Sequence, residues 1–157
     1  MSVIEQRIQE LGYEIPEVAA PVAAYTAAAQ NGNLVYTSGQ LPVVKGELPY
    51  SGKVGEGEGL VTPEQAEELA RVCALNGLAA ARGIVGSLDK IKQVVKVTAF
   101  VASDPSFTGQ PSVANGASVF LGQVFGDAGI HVRSAVGVAA LPLDAPVEVE
   151  FVFEVEA

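Results

Sequence analysis

Apolar residues recur at helical spacing close to the start of the chain. Ile4, Ile8 and Leu11 fall on one side of a helical wheel, the residues between them are mostly polar, and Gly12 follows. This spacing predicts a short amphipathic helix at about residues 2–11, because side chains three and four positions apart share one helix face. We expect this helix to dock on the rest of the domain and to carry no chemistry.

A second, longer helical pattern begins at Thr62. Thr62 is suited to cap a helix, Pro63 fits the first helical position, and Gln65 can complete a capping box. The pattern runs to the glycines at 83–86, which favour helix termination. The side expected to face the core carries only small or apolar residues: Ala66, Leu69, Ala70, Cys73, Gly77 and Ala80. A glycine on that side would let a sheet approach the helix closely.

A third helix is predicted to begin at Pro111, to run through Phe125 and to end at Gly126. Asn115 lies in its first turns. Two interpretations of Asn115 stay open: its amide is a solvated surface group, or it is part of a binding site.

Runs rich in β-branched residues predict the strands. The run at 94–102 is typical of an interior strand. The stretch 131–156 contains two further strand-like runs joined by a turn at 141–146, and we expect these to pair as a hairpin. With an earlier hairpin, the order is hairpin, helix, strand, helix, strand, strand. This order predicts one two-layer α+β domain, residues 1–157, with a mixed or mostly antiparallel sheet.

The earlier hairpin is indicated by the dipeptide Asn31-Gly32 between two strand-like runs, a pairing typical of a type I′ turn. If these two residues form the turn, counting outward sets Tyr25 directly opposite Ser38. Directly opposed residues share a face, so a phenol and a hydroxyl would converge near the end of the hairpin. The alternative is that Tyr25 is a core aromatic residue and Ser38 a turn residue. The Gly- and Pro-rich segment 40–60 that follows is predicted to be a long surface loop or a lid.

The composition narrows the class of protein. A chain of 157 residues with 49% hydrophobic content is enough for one globular core. The mean hydropathy of +0.34 is high for a monomer, which favours a homo-oligomer. A net charge of -9 argues against nucleic acid, since binding to a phosphate backbone depends on clustered Lys and Arg.

Metal, disulfide and membrane chemistry are also disfavoured. One cysteine and one histidine leave no disulfide within the chain and no multi-residue zinc site, so we expect no metal. Cys73 is expected to be a buried, inert thiol. The N-terminal residues lack the unbroken apolar core of a signal peptide, and no run reaches the length of a membrane span. We therefore expect a cytoplasmic protein without membrane contact.

Arg133 is the last basic residue of the chain and lies within a strand-like run. Its guanidinium is a planar group whose N–H donors suit a carboxylate or a phosphate. The group keeps its positive charge at any physiological pH. The positions on its face are small: Ala135, Gly137 and Ala139. Glu148 and Glu150 share one face of the next strand by the same alternation. Two readings stay open, a ligand site at Arg133 or a structural ion pair between Arg133 and one of these glutamates.

Several segments together resemble the Rid family, the reactive intermediate deaminases, also called YjgF-like or endoribonuclease L-PSP proteins. The resemblance covers about residues 21–155. It is carried by Tyr25, TSGQLP at 37–42, VKVTAFV at 95–101, Asn115, and RSAVGVAALP followed by VEVE near the C-terminus. It implies an α+β fold of the chorismate-mutase type and a homotrimer with three sites at subunit interfaces.

The resemblance also implies roles for particular residues. Arg133 matches the arginine that holds the substrate carboxylate, and Glu148 matches the acidic residue that orients or activates water. Tyr25, Ser38 and Asn115 match residues around the same cleft. One departure is Ala135, where many deaminating members carry cysteine.

The implied activity is hydrolytic deamination of small enamines or imines derived from amino acids, which gives 2-keto acids and ammonia and needs no cofactor. The alternative is a non-catalytic binding module that uses the same arginine to capture a keto acid or a related carboxylate metabolite. An endoribonuclease, as one family name implies, is disfavoured by the acidic composition and by the lack of a histidine pair.

Overall fold

A computed structural model describes residues 2–18 and 24–157, so Pro21, where the resemblance begins, lies outside the described residues. The helices are α1 Val3–Glu10, α2 Pro63–Val85 and α3 Gln110–Phe125. The strands are β1 Ala28–Asn31, β2 Leu34–Thr37, β3 Ile91–Ala102, β4 Val132–Val138 and β5 Val147–Val155. Three short 3₁₀ turns lie at Leu88–Lys90, Gly126–Gly129 and Pro142–Asp144, and the sequence patterns did not predict them. The predicted order of elements is confirmed.

Helix boundaries follow the capping residues. The Thr62 hydroxyl accepts from the backbone N–H of Gln65, and the Gln65 side chain accepts from the backbone N–H of Thr62, so the predicted capping box is formed. Gly86, with φ 85°, ends α2, and Gly126 ends α3. Gly77 is packed so closely on the sheet that an added Cβ would lie 2.7 Å from Cε2 of Phe151. The expected close approach of helix and sheet is confirmed.

The helix α1 docks through both its faces. Ile8 is fully buried, and Arg7 donates from its Nη1 to the Val124 carbonyl at the end of α3, 2.6 Å away. Glu5 pairs with Arg82 of α2 at 3.2 Å. The N-terminal helix is therefore an integral part of the helical layer.

The sheet has five strands in the order β1-β2-β5-β3-β4. Strands β3 and β4 are parallel, because α3 crosses over between them, and all other neighbours are antiparallel. The expected hairpin of the last two strands is wrong: β4 and β5 are not neighbours, since β3 lies between them. The sheet is mixed, as predicted.

The sheet has one covered and one open face. Alternate residues of β5, from Val147 to Val155, are buried on the face that α2 covers, while the residues between them are half-exposed. On the open face Phe100 of β3 lies between Glu148 and Val136 of β4, and Tyr36 of β2 lies further along β5, opposite Val152. Val136 and Tyr36 are 44% and 45% exposed. No helix among the described residues packs on this face.

The first hairpin forms, but its register differs from the expected one. Asn31 pairs with Leu34, so Gly32 and Asn33 are the two turn residues, and Gly32 has φ 63°. A glycine at the first central position is what a type II′ turn requires, whereas the prediction was type I′. The inferred pairing of Tyr25 with Ser38 is therefore wrong.

The segment 40–60 has no helix and no strand of the sheet, as predicted, but it is tied to the body of the protein. Asn76, a buried residue of α2, donates through its Nδ2 to the carbonyls of Leu41 (2.9 Å) and Val43 (3.1 Å). Val54 is fully buried and donates its N–H to the Ala102 carbonyl. These anchors make the segment a fixed wall of the domain rather than a lid.

No helix within residues 2–18 and 24–157 combines the length and the apolar character needed to cross a membrane.

Candidate active site

Arg133 projects from the edge strand β4 toward helix α3. Its Nη1 donates to Oδ1 of Asn115 at 2.8 Å and to the Ser118 hydroxyl at 3.1 Å. Both acceptors lie on α3, one turn apart, so the helix holds the guanidinium from one side. Of the two residues, Asn115 was a sequence candidate and Ser118 was not.

The hydrogen bonds to Asn115 and Ser118 use one end of the Arg133 guanidinium and leave its other end without a partner among the described residues. Both hydrogens of Nη1 are used, whereas Nε and Nη2 have no hydrogen-bond partner within the part of the chain that the structure describes. The edge formed by Nε and Nη2 carries two parallel N–H donors, the arrangement that binds a carboxylate bidentately. The charge of Arg133 is thus oriented and still available.

A second layer of hydrogen bonds lies behind Ser118. Its Oγ is 2.8 Å from Nε2 of His131, and Nδ1 of the same histidine is 2.6 Å from the Gly129 carbonyl. His131 stands two residues before Arg133, immediately ahead of β4. The histidine thus reaches the same hydroxyl that contacts the arginine.

Glu148 lies on the open face of β5, where it is half-buried. Its carboxylate rests on the backbone of Gly39, since a Cβ added at Gly39 would overlap Oε2 and lie 2.8 Å from Cδ. Burial raises the pKa of Glu148 above its ordinary value, and the neighbouring Glu150 carboxylate adds to the rise. A carboxylate of raised pKa is a stronger proton acceptor than an ordinary one.

Arg133 and Glu148 are not brought together within one chain. Arg133 is paired with Val97 on the helix side of the sheet, whereas Glu148 is paired with Phe100 on the open side. None of the ion pairs among the described residues includes Arg133. The alternative of a structural ion pair with Glu148 or Glu150 is therefore wrong.

Tyr25 and Ser38 lie near the mouth of the first hairpin. Tyr25 is 49% exposed, so it is not the core aromatic residue of the alternative reading. The Ser38 hydroxyl donates to the Thr26 carbonyl at 2.5 Å, and its N–H donates to the Ala27 carbonyl. Ser38 directly precedes Gly39 in the chain, so it lies beside the backbone that the Glu148 carboxylate contacts.

Cys73 is fully buried in α2, as expected, and burial raises the pKa of its thiol. Such a thiol is protonated and inert at neutral pH. Within residues 2–18 and 24–157, no three His, Cys, Asp or Glu side chains cluster in a way that would hold a metal ion.

Three residues near the candidate side chains were not predicted from the sequence as site residues: Gly39, Ser118 and His131. Ser118 lies three positions after Asn115, a spacing that places both on one helix face. His131 lies two positions before Arg133, which places both on one strand face. These two signals were in the sequence. The seat at Gly39 required the pairing of distant segments and left no local signal.

The chain belongs to the family described as "YjgF/chorismate mutase-like, putative endoribonuclease", whose model matches residues 5–155. The predicted family and the chorismate-mutase-like α+β fold are thereby confirmed. Protein TCP17 of Trypanosoma cruzi is 40% identical over 96% of this chain and 93% of its own length. A solved structure of protein Atu1372 of Agrobacterium tumefaciens, of unknown function, is 40% identical, with a TM-score of 0.89 over 98% of this chain and 94% of its own.

A more distant relative has a named activity. The 2-iminobutanoate/2-iminopropanoate deaminase of Dermatophagoides farinae is 29% identical over 90% of this chain and 93% of its own length. The family therefore includes a protein named for the deamination of 2-imino acids.

Proposed function

We propose that this protein hydrolyses small 2-imino or 2-enamino acids to 2-keto acids and ammonia, at sites formed between the subunits of a homotrimer. The observation that carries the proposal is the pair of half-sites described above. One is a tethered arginine with a free bidentate edge, and the other is a half-buried carboxylate of raised pKa on the opposite face of the sheet.

The arrangement of the faces supports a site shared between chains. A substrate with a carboxylate and an adjacent imine needs its anchor and its base within a few ångströms of each other. One chain separates Arg133 from Glu148 by the thickness of its own sheet. The open face around Glu148 carries exposed apolar side chains, and packing β4 of a neighbouring subunit near this face would both cover them and deliver its Arg133.

The chemistry follows from the two half-sites. Nε and Nη2 of Arg133 bind the substrate carboxylate and fix the position of the imine carbon. Glu148 holds a water molecule and accepts its proton as the water oxygen bonds to that carbon. The electron pair of the C=N bond moves to the nitrogen, which takes a proton from solvent to give a carbinolamine. The proton held by Glu148 then returns to this nitrogen, the C–N bond breaks to release ammonia, and the hydroxyl loses its proton to solvent as the carbon becomes a keto group. An enamine first takes a proton on its terminal carbon to become the imine.

The proposed steps use no thiol, so Ala135 is compatible with them. Ala135 packs against the hydrophobic core, and a Cβ added at Gly137 would lie 2.8 Å from Nε2 of Gln110, so the chain itself covers the rest of this face of β4. The neighbourhood of the guanidinium is otherwise polar, through Asn115 and Ser118.

The direct test generates 2-aminoacrylate in situ and measures the release of keto acid above the spontaneous rate. Wild-type protein should accelerate release, and Arg133→Ala should lower kcat/KM by about 100-fold because the substrate loses its anchor. Arg133→Lys keeps the charge but loses the planar fork, so it should be impaired as well. Lys92→Ala, which removes an exposed cation elsewhere on β3, is the matched control and should retain activity.

If the wild type leaves the spontaneous rate unchanged, the deaminase proposal is wrong for this substrate. A keto acid that nevertheless binds the wild type, and binds Arg133→Ala more weakly, would instead favour the non-catalytic binding module.

A further inference from the structure

The hydrogen bonds behind Arg133 run in one direction. The Gly129 carbonyl only accepts, so Nδ1 of His131, 2.6 Å away, carries a proton. In the neutral imidazole Nε2 is then an acceptor, and the Ser118 hydroxyl, 2.8 Å away, donates to it. Ser118 Oγ in turn accepts from Nη1 of Arg133. Each of the three hydrogen bonds from Nη1 of Arg133 to the Gly129 carbonyl therefore has one donor and one acceptor, and all three point the same way.

The far end of this chain of hydrogen bonds is fixed. Gly129 is buried, and an added Cβ there would lie 2.9 Å from the backbone carbon of Leu121 and 3.1 Å from Cα of Gly122. Its peptide therefore packs directly on α3. The next carbonyl, that of Ile130, accepts from Nε2 of Gln93 at 2.6 Å. The carbonyl that holds His131 thus belongs to a backbone segment that cannot shift freely.

We infer that His131 is a positioning residue, which sets the guanidinium of Arg133 through the hydroxyl of Ser118 and so tunes the capture of the substrate carboxylate. This inference rests on the proposed function. A serine hydroxyl rotates about its Cβ–Oγ bond, and a free rotor offers Nη1 a lone pair only part of the time. By accepting the hydroxyl proton, Nε2 stops that rotation and turns a lone pair of Oγ toward Arg133.

The role has a kinetic signature. Arg133 holds the carboxylate equally in the ground state and in the transition state, because the carboxylate takes no part in bond making. Weakening its orientation should therefore raise KM and leave kcat nearly unchanged. Loss of one neutral hydrogen bond predicts an effect of about three- to tenfold on KM.

The experiment combines four variants with a spectroscopic readout. His131→Phe removes both nitrogens but keeps a planar ring, and His131→Gln keeps an acceptor near the position of Nε2. Ser118→Ala removes the intermediary, and the double variant His131→Phe with Ser118→Ala completes a mutant cycle. Ser112→Ala, an exposed serine on the same helix, is the matched control. His131 is the single histidine of the chain, so its ¹⁵N resonances in the full-length protein are assigned without ambiguity.

We expect His131→Phe and Ser118→Ala each to raise KM for 2-aminoacrylate about three- to tenfold, with the double variant no worse than Ser118→Ala alone. His131→Gln should recover part of the loss. The ¹⁵N spectrum should show the Nδ1–H tautomer, with an Nε2 resonance that moves in Ser118→Ala and stays in Ser112→Ala. If His131→Phe fails to fold, His131→Gln and Ser118→Ala decide the question.

An active wild type whose KM is untouched in the His131 variants overturns this inference and leaves the proposed function standing. The inference is also overturned if the effects of His131→Phe and Ser118→Ala on KM are additive in the double variant, or if the ¹⁵N spectrum shows the tautomer with its proton on Nε2. A wild type that neither turns over nor binds carboxylates removes the proposed function and the positioning role together, while the ¹⁵N spectrum still reports the hydrogen bonds themselves.

Discussion

Arg133 and Glu148 lie on opposite faces of the same sheet, on two strands that both pair with β3. The guanidinium is held by α3 on the covered face, and the carboxylate rests on Gly39 on the open face. Because the sheet separates them, the two side chains of one subunit cannot line the same cavity. If both act on one molecule, they come from different subunits.

Replacing Glu148 by Gln should abolish most of the turnover. The amide keeps the shape of the carboxylate but cannot accept the proton of the attacking water, so kcat should fall by about 100-fold or more. In the wild type, kcat should rise with pH as Glu148 loses its proton, and burial raises the pKa of this group above the ordinary glutamate value. That limb of the pH profile should be missing in Glu148→Gln. An unchanged profile in the variant would assign the limb to another group.

The same substitution should stabilise the single, unassembled subunit at neutral pH, where no Arg133 of a neighbouring chain faces Glu148. The folded pKa of Glu148 is raised above the unfolded value, so the folded state binds more protons between the two, and stability falls as pH rises through that window. Glutamine removes this deficit. We expect the unassembled variant to have a higher free energy of unfolding than wild type at pH 7.5 and no difference below about pH 3, where glutamate is protonated in both states. Urea titrations at protein concentrations low enough to keep the chains apart measure it, and a less stable variant at pH 7.5 would contradict the sign.

Replacing Gly39 by Ala should damage the site more than the fold. The new Cβ would overlap the carboxylate of Glu148, which is the movable end of a side chain, so the carboxylate is displaced while the backbone stays. We expect kcat to fall about tenfold with a small change in Tm, since misplaced catalytic groups lose rate steeply. Gly122→Ala is the matched control, because no atom of residues 2–18 and 24–157 outside its own helix backbone lies within 4 Å of its Cβ position. Equal activity of both variants would show that the seat at Gly39 is unimportant.

Replacing Asn76 by Ala should loosen the segment 40–60. The substitution leaves the carbonyls of Leu41 and Val43 without their donor, and an unsatisfied buried polar group costs about 1–3 kcal/mol. Urea unfolding measures the loss, and hydrogen exchange should accelerate around Leu41 and Val43. Asn33→Ala, at an exposed turn, is the control and should change the free energy of unfolding little. Unchanged exchange in Asn76→Ala would mean that other contacts anchor the segment.

Much of the fold was predictable because its signals are local. Thr62 and Gln65 fix the start of α2 through their own side chains, and Gly86 and Gly126 end helices by adopting positive φ. Alternation along the strand placed Arg133, Ala135 and Gly137 on one face correctly. Each of these inferences needed only a few neighbouring residues.

The wrong structural predictions concern places where one local sequence pattern is compatible with two different structures. Asn31-Gly32 and Gly32-Asn33 both offer a two-residue turn, and they differ only in which position the glycine takes. Strands β4 and β5 are close in sequence, yet the crossover through α3 sets β4 beside β3 and leaves β5 to pair on the other side. The sequence assigned faces within each strand but not between strands, so the separation of Arg133 from Glu148 was not predictable.

The most direct test of a shared site is subunit complementation. Arg133→Ala and Glu148→Gln chains, each inactive alone, are unfolded together in equal amounts and refolded into mixed oligomers. If each site takes Arg133 from one subunit and Glu148 from the next, random mixing restores about one quarter of the sites, and about one quarter of wild-type activity should return. Activity no greater than that of the two parents, in oligomers shown to be mixed, would contradict a site formed between chains.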